Sequence, residues 1–189
     1  LLSRAAATGP RAGIVVFNLF CCACLLYTEG VRQVSIYRTA LAQWGWALPE
    51  ISLFGALVFV LIGLSIALFK PLIGPRQQWA ALLGSGLSQL AFAPWGAGGW
   101  VSVAYLVAAV VYGTCTSAAY SRASARVTAE ALKAGPWKNA LLAAEVGAGL
   151  LGMALGTLVS TLGETPQPWP VLSGSGGVLL CAVLAGLGF

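Results

Sequence analysis

The stretch that decides the fold is residues 120–162, which read YSRASARVTAEALKAGPWKNALLAAEVGAGLLGMALGTLVSTL. Its first half, up to Asn139, carries four of the ten basic residues of the chain and a single acid. Its second half is an apolar run of about the 20 residues that a helix needs to cross a bilayer. This pattern predicts a basic loop followed by a transmembrane helix.

Glu145 lies inside that predicted helix, and Gly149, Gly152 and Gly156 follow it on the same face at about 3.6 residues per turn. A glycine face, here with a GxxxG spacing from Gly152 to Gly156, lets another helix approach closely. We therefore expect these three glycines to pack against a neighbouring helix and Glu145 to point into the bundle. A low dielectric disfavours the charged carboxylate, so Glu145 is our candidate for proton coupling or substrate recognition. The alternative is an uncharged or paired structural acid near the helix end.

The composition predicts an all-α integral membrane protein of the multi-pass type, with the lipid bilayer as a partner. The chain is 59% hydrophobic and 8% charged, whereas soluble domains are about 45–50% apolar and about 25% charged. Its mean hydropathy is +0.88. The net charge of +5 is spread over loops between apolar runs, which is what membrane topology requires. We therefore expect no nucleic-acid partner.

The sequence offers little for catalysis. It contains no histidine, and its five cysteines all lie in apolar runs, where we expect them to serve packing. It has neither a metal-ligand cluster nor a nucleophile with a partner base. We therefore predict that the protein is not an enzyme and needs no metal or other cofactor.

Six apolar runs predict six transmembrane helices in one bundle over residues 1–189. They lie at residues 12–28, 51–69, 79–94, 100–120, 139–162 and 169–189. Successive connecting segments lie on alternate sides of the membrane, and the Lys and Arg residues are unevenly divided between these two sides. Eight fall on one side, namely Arg4, Arg11, Lys70, Arg76, Arg122, Arg126, Lys133 and Lys138, and two, Arg32 and Arg38, on the other. The positive-inside rule then predicts that both termini are cytoplasmic.

Several predicted helices have a less apolar face, and such faces should turn away from lipid. The candidates for substrate or proton binding, besides Glu145, are Asn18 on the first helix, Gln89 on the third, and Tyr112 and Thr116 on the fourth. Glu29 and Arg32 form an i,i+3 pair that allows the first helix to continue beyond Thr28. Hydrogen bonding between helices, without any substrate, would explain each candidate equally well.

Two stretches resemble the major facilitator superfamily of transporters. In residues 40–78, Gly45-Trp46 matches the Gly-Trp-small residue pattern of an outside loop in that family, Gly55 matches the glycine-containing helix that follows, and a short basic loop comes next. Residues 133–160 resemble the entry to the fifth or eleventh helix of that family, with Gly152 and Gly156 at its small positions. The resemblance covers nearly the whole chain as a layout rather than as a sharp motif.

The loop after the second helix departs from the family pattern Gly-x-x-x-Asp-Arg/Lys-x-Gly-Arg-Arg/Lys. Only Gly74 and Arg76 fit, while Ala67, Pro71 and Leu72 replace the first glycine, the aspartate and the first base. Because that loop is better kept in the first half of the family, the departure favours the C-terminal half of a twelve-helix carrier. The resemblance thus implies a three-plus-three inverted repeat and an N-terminal six-helix half as partner.

Two functions are predicted from these observations. The first is transport of a small solute by alternating access, with possible proton coupling, as half of a secondary transporter. The second is a non-transporting scaffold subunit of a membrane complex. The chain lacks an initiator methionine, and we expect it to be part of a longer protein. The sequence does not identify the solute.

Overall fold

The computed structural model describes residues 11–74, 77–163 and 165–188, and these ranges are helical without any strand. The six α-helices are α1 (Ala12–Ala42), α2 (Leu48–Phe69), α3 (Gln78–Gln89), α4 (Gly99–Ala131), α5 (Lys138–Thr161) and α6 (Trp169–Gly186). Three short 3₁₀ turns lie next to these helices. Lys70–Leu72 follows α2, Leu90–Phe92 follows α3, and Gly135–Trp137 precedes α5.

Five of the helices are long and apolar enough to cross a membrane, and α3 is the exception. Its 12 residues span only about 18 Å, against a hydrocarbon core of about 30 Å. The predicted third span at residues 79–94 is therefore shorter than expected. The Tyr105 hydroxyl donates a 2.8 Å hydrogen bond to the Phe92 carbonyl just beyond α3, which satisfies a backbone group freed where the helix stops.

Helices α1 and α4 run well past their predicted ends at residues 28 and 120. In α1 the buried face continues with Ile36 and Ala40, and in α4 it continues with Ala123, Val127 and Ala131. This helical spacing of buried side chains extends both helices beyond the apolar runs. Most of the segment that the sequence predicts as a basic loop is thus helical.

The two longest helices, α1 and α4, form the centre of the bundle. Helix α1 packs most extensively on α5 and also contacts α4 and α6, whereas α4 packs on α2, α3 and α1. Helices α3 and α6 pack against each other. Helices α2 and α5 lie at the periphery and are the least buried of the five candidate spans.

Glycines permit the close crossing of α1 and α5. A methyl group added at Gly152 would overlap the carbonyl oxygen of Ala23, and one added at Gly156 would overlap that of Tyr27. From the opposite helix, a methyl group at Gly30 would overlap the backbone of Met153. The two backbones are therefore in direct contact, as small residues allow in membrane helices.

Charged side chains tie helix ends to neighbouring helices. At the start of α1, the Glu130 carboxylate accepts a 2.8 Å hydrogen bond from the backbone N–H of Arg11 and pairs with Lys133 at 2.6 Å. Just after the end of α5, Arg38 donates a 2.6 Å hydrogen bond to the Gly163 carbonyl. The negative Glu130 thus lies at the start of α1 and the positive Arg38 at the end of α5, and these are the signs that the dipoles of α1 and α5 favour at those ends.

Candidate functional site

A buried ion pair, Glu29 with Arg32, lies within α1. Arg32 Nε donates a 3.0 Å hydrogen bond to Glu29 Oε2, and Arg32 Nη2 contacts Glu29 Oε1, so the contact is bidentate. The Gln33 amide donates a further 2.8 Å hydrogen bond to Glu29 Oε1. The Arg32 side chain is 2% exposed and that of Glu29 is 21% exposed. The carboxylate is therefore the accessible member of the pair.

Two aromatic rings flank the guanidinium of Arg32. Its central carbon lies 5.3 Å from the ring centre of Phe59 and 5.6 Å from that of Tyr112, both within the range of a cation–π interaction. Phe59 lies halfway along α2, about 15 Å from either end. The charged head of Arg32 is thus level with the middle of a helix whose length matches the bilayer core.

A chain of hydrogen bonds connects this pair to α3 and α4. The Thr28 hydroxyl lies 3.1 Å from the Tyr112 hydroxyl, and Gln89 Nε2 donates a 3.3 Å hydrogen bond to the Thr28 carbonyl. Because that partner is an acceptor, the nitrogen of the Gln89 amide must face it. The other amide atom, Gln89 Oε1, is buried and has no hydrogen-bond partner among the residues described.

We call the set Thr28, Glu29, Arg32, Phe59, Gln89 and Tyr112, with Gln33, the polar cluster. On α1, Leu26, Glu29 and Tyr37 share one face at helical spacing. Leu26 packs on α5, because its Cδ1 lies 2.7 Å from the position that a Cβ at Gly149 would take. Tyr37 packs on α2, because its hydroxyl lies 2.8 Å from the position that a Cβ at Gly55 would take. The face that carries Glu29 therefore lies between α5 and α2.

The α1–α5 crossing positions the cluster. Gly30 stands next to Glu29 in the sequence and contacts the backbone of α5 directly. Because the backbones touch at the glycines, a rotation of α1 about its axis would drive a side chain into the backbone of α5. The crossing therefore fixes the direction in which Glu29 and Arg32 project.

Glu145 lies on the buried face of α5, together with Gly149, Gly152, Gly156 and Ser160. The residue is 7% exposed and lies near the Cys22 thiol of α1 and the Tyr120 hydroxyl of α4. Within the described part of the chain, neither a hydrogen bond nor an ion pair engages its carboxylate. Glu145 is thus a buried acid separate from the polar cluster.

The other predicted site residues divide among three places. Gln89 and Tyr112 both reach Thr28 and belong to the polar cluster. Asn18 instead accepts a 3.4 Å hydrogen bond from Gln78, which joins α1 to α3, and donates one to the Ile14 carbonyl within its own helix.

Thr116 also lies apart from the cluster. Its hydroxyl is 2.7 Å from that of Ser85, which joins α4 to α3. The five residues predicted to share a site thus occupy four positions, because α3 takes up the hydrogen bonds of Asn18 and Thr116.

Arg32 was predicted as a base on the outside, beyond the first apolar run, and this is wrong. It is the largest of the fully buried side chains of α1. The signal was present, since Glu29 and Arg32 form an i,i+3 pair on a helix that can continue past Thr28. The apolar run ends at Thr28. Hydropathy counts each of the two charges that follow as unfavourable for a membrane span, although the two charges neutralise each other.

A cleft with charged walls lies at the end of the bundle where α1 starts. It encloses about 500 Å³ and is open to solvent. Its charged lining residues are Arg11, Arg126 and Glu130. In the described ranges, no group of three or more cysteine or acidic side chains is arranged to hold a metal ion.

These observations define a helical protein with five helices suited to a membrane and a charged pair inside the bundle. No protein-family model matches the chain, and no curated protein or solved structure shows significant similarity to it.

Proposed function

We propose that the chain forms the C-terminal six-helix half of a secondary transporter of the major facilitator type, which moves a small solute by alternating access. The observation that carries the proposal is the Glu29–Arg32 pair, level with the middle of α2. Charged side chains at such depth are rare and mark substrate and ion pathways. Apolar side chains of similar volume would serve packing equally well or better, so a structural role alone gives no reason for the pair.

The packing supports a three-plus-three inverted repeat. The repeat would exchange α1 with α4, α2 with α5 and α3 with α6. Under this exchange the α1–α5 contact corresponds to the α4–α2 contact, and the α3–α4 contact corresponds to the α6–α1 contact. All four of these contacts exist. The close glycine contacts follow the same exchange. Gly30 of α1 lies against α5, and a Cβ at Gly113 of α4 would lie 3.1 Å from the Ile62 Cα of α2. In this arrangement α3, extended by its flanking turns, makes the sixth crossing.

Two contacts support the proposed topology, with both termini in the cytoplasm. The backbone of Arg11 is bonded to Glu130, and Arg122 donates to the Ile73 carbonyl, so the basic segments gather at one end of the bundle. Among the described residues, Arg38 is the one base at the other end. Arg4 and Arg76 of the sequence count lie outside the described residues, and the positive-inside rule orients the asymmetry of the others.

The exposed helices α2 and α5 support the proposed partner. Their outer faces are apolar, with side chains such as Leu53, Val60, Val146 and Leu150 more than half exposed. Lipid would cover part of these faces and the N-terminal six-helix half of the same protein the rest. The face of α1 that carries Glu29, which lies between α2 and α5, would then line a cavity shared by the two halves.

Glu145 is the proposed proton-coupling group. It is a buried carboxyl, without a charged partner among the described residues, and lies close to α1 and α4, the two central helices. Ionisable side chains inside membrane bundles form the proton relays of pumps and transporters, so this position suits a coupling role.

A scaffold subunit is the second candidate, because exposed apolar faces also suit permanent partner helices. Accessibility of the cluster separates the two functions without knowledge of the solute. In a background without native cysteines, Gln33→Cys in a transporter should react with a membrane-impermeant thiol reagent added on either side of proteoliposomes of known orientation. Val146→Cys, on the lipid-facing side of α5, is the matched control and should react from neither side. Reaction of Gln33→Cys from one side only, or from neither, would reject alternating access.

A further inference from the structure

We propose that the polar cluster recognises an organic cation, an amine or a guanidine, and that Arg32 occupies the place of this cation while the solute is absent. The proposal rests on the proposed transport function and names the class of solute for that site. It follows from which groups of the cluster are accessible and which are already satisfied.

The accessible charge of the cluster is negative. The Glu29 side chain is about ten times as exposed as that of Arg32, at 21% against 2%, so a solute that reaches the cluster meets the carboxylate first. An anion would have to displace Glu29 from both nitrogens of the guanidinium and reach a charge enclosed by two rings. A cation needs only to take over the carboxylate.

The surroundings of Arg32 are those of a cation site. The faces of Phe59 and Tyr112 attract positive charge through their quadrupoles, and the Arg32 head lies 5.3 and 5.6 Å from their centres. Aromatic faces combined with a carboxylate recognise ammonium and guanidinium groups in general. Here the protein supplies one such group from its own chain.

The unpaired acceptor of the cluster also favours a donor-rich ligand. Gln89 Oε1 is buried without a partner in the described part of the chain, and its amide is fixed by the hydrogen bond from Nε2 to the Thr28 carbonyl. An ammonium or guanidinium group carries only hydrogen-bond donors and can satisfy this oxygen. A carboxylate or phosphate carries acceptors and would leave it unpaired.

A tethered cation also explains how the empty site stays neutral. With Arg32 on Glu29, the cluster carries no net charge inside the membrane, where an isolated charge is strongly disfavoured. A cationic solute that pairs with Glu29 releases Arg32, which can swing on its flexible stem towards water. The exchange keeps the carboxylate paired in both states.

Chemical rescue tests the proposal on the full-length protein purified in detergent, with methylguanidinium as the probe. Arg32→Ala removes the tethered cation and leaves Glu29 unpaired. We expect millimolar methylguanidinium to raise the melting temperature of Arg32→Ala and to bind it at least tenfold more tightly than it binds the wild type. The double variant Glu29→Gln/Arg32→Ala is the matched control and should lose this binding. Equal binding to both variants would overturn the proposal, as would acetate binding to the wild type that depends on Arg32.

A second pair of variants decides the question if Arg32→Ala does not fold. Phe59→Leu removes one ring beside the guanidinium, and Phe69→Leu makes the same change at an exposed position of the same helix. Methylguanidinium binding to the wild type should weaken about threefold to tenfold in Phe59→Leu and stay unchanged in Phe69→Leu. Equal effects in both variants, or no binding to the wild type, would overturn the proposal.

Cation binding, measured in detergent, tests the proposed cation recognition, and solute flux, measured in vesicles, tests the proposed transport. Either result can be negative while the other is positive. Cation binding without any flux would count against transport and leave cation recognition intact. Flux of a neutral or anionic solute, with no cation binding, would support transport and refute cation recognition.

Discussion

Substitution of single glycines of α5 by alanine gives a graded test of the α1–α5 crossing. A Cβ at Gly152 would meet the backbone of Ala23, with its carbonyl carbon at 2.9 Å, and backbone cannot move away by a change of rotamer. A Cβ at Gly149 would meet Leu26 Cδ1 at 2.7 Å, which is the free end of a flexible side chain. A Cβ at Gly147 would meet no heavy atom within 4 Å.

The expected magnitudes follow from these contacts. Gly147→Ala measures the gain in helix propensity alone, at most about 1 kcal/mol of added stability. Relative to this control, Gly152→Ala should be less stable by about 1–3 kcal/mol, the usual effect of overpacking. Gly149→Ala should fall between the two, because Leu26 can adjust.

The assay is unfolding by sodium dodecyl sulfate in mixed micelles, followed by helical circular dichroism on the full-length protein. The order of midpoints should be Gly147→Ala above Gly149→Ala above Gly152→Ala. The larger Gly152→Leu should also lower the yield of folded protein. Coincident midpoints for Gly147→Ala and Gly152→Ala would refute backbone contact at the crossing.

Three further outcomes follow from the fold and site. Glu145→Gln keeps the size and hydrogen bonding of the side chain but cannot ionise, so reconstituted carrier should fold normally and lose pH-driven accumulation; unchanged uptake across the pH range would leave Glu145 a structural residue. In a background without native cysteines, Ala97→Cys should react with an impermeant reagent from outside the cell and Ala125→Cys only from the cytoplasm; outside reaction at Ala125→Cys would reverse the topology. Tyr105→Phe leaves the Phe92 carbonyl without this donor and should lower stability by about 1–3 kcal/mol, and wild-type stability would show that another donor replaces the hydroxyl.

The sequence was sufficient to predict the helical membrane class and the buried face of α5. The spacing of Glu145, Gly149, Gly152 and Gly156 places all four on one side of any helix, and that side is the buried one. The partner of this face could not be predicted. Gly30, which completes the crossing from α1, has no second glycine one or two turns away, and an isolated glycine does not identify the helix that it meets.

The polar cluster was only partly predictable, because its members come from four helices. Tyr112 and Gln89 were proposed from their own helices, yet their meeting at Thr28 depends on how α3 and α4 pack on α1. Arg32 was misplaced because hydropathy scores each charge separately. A charge that is neutralised within its own helix and enclosed by rings from two others has a lower penalty than that score assigns.

Solute flux through a carrier whose charged pair is neutralised tests the central claim most directly. Glu29→Gln/Arg32→Gln removes both charges together and therefore leaves no unpaired charge inside the membrane. Full-length protein with this double substitution, reconstituted in vesicles beside the wild type, should fold and insert normally and show no uptake of a solute that the wild type accumulates. Uptake at the wild-type rate would contradict the claim that the Glu29–Arg32 pair is the site of transport.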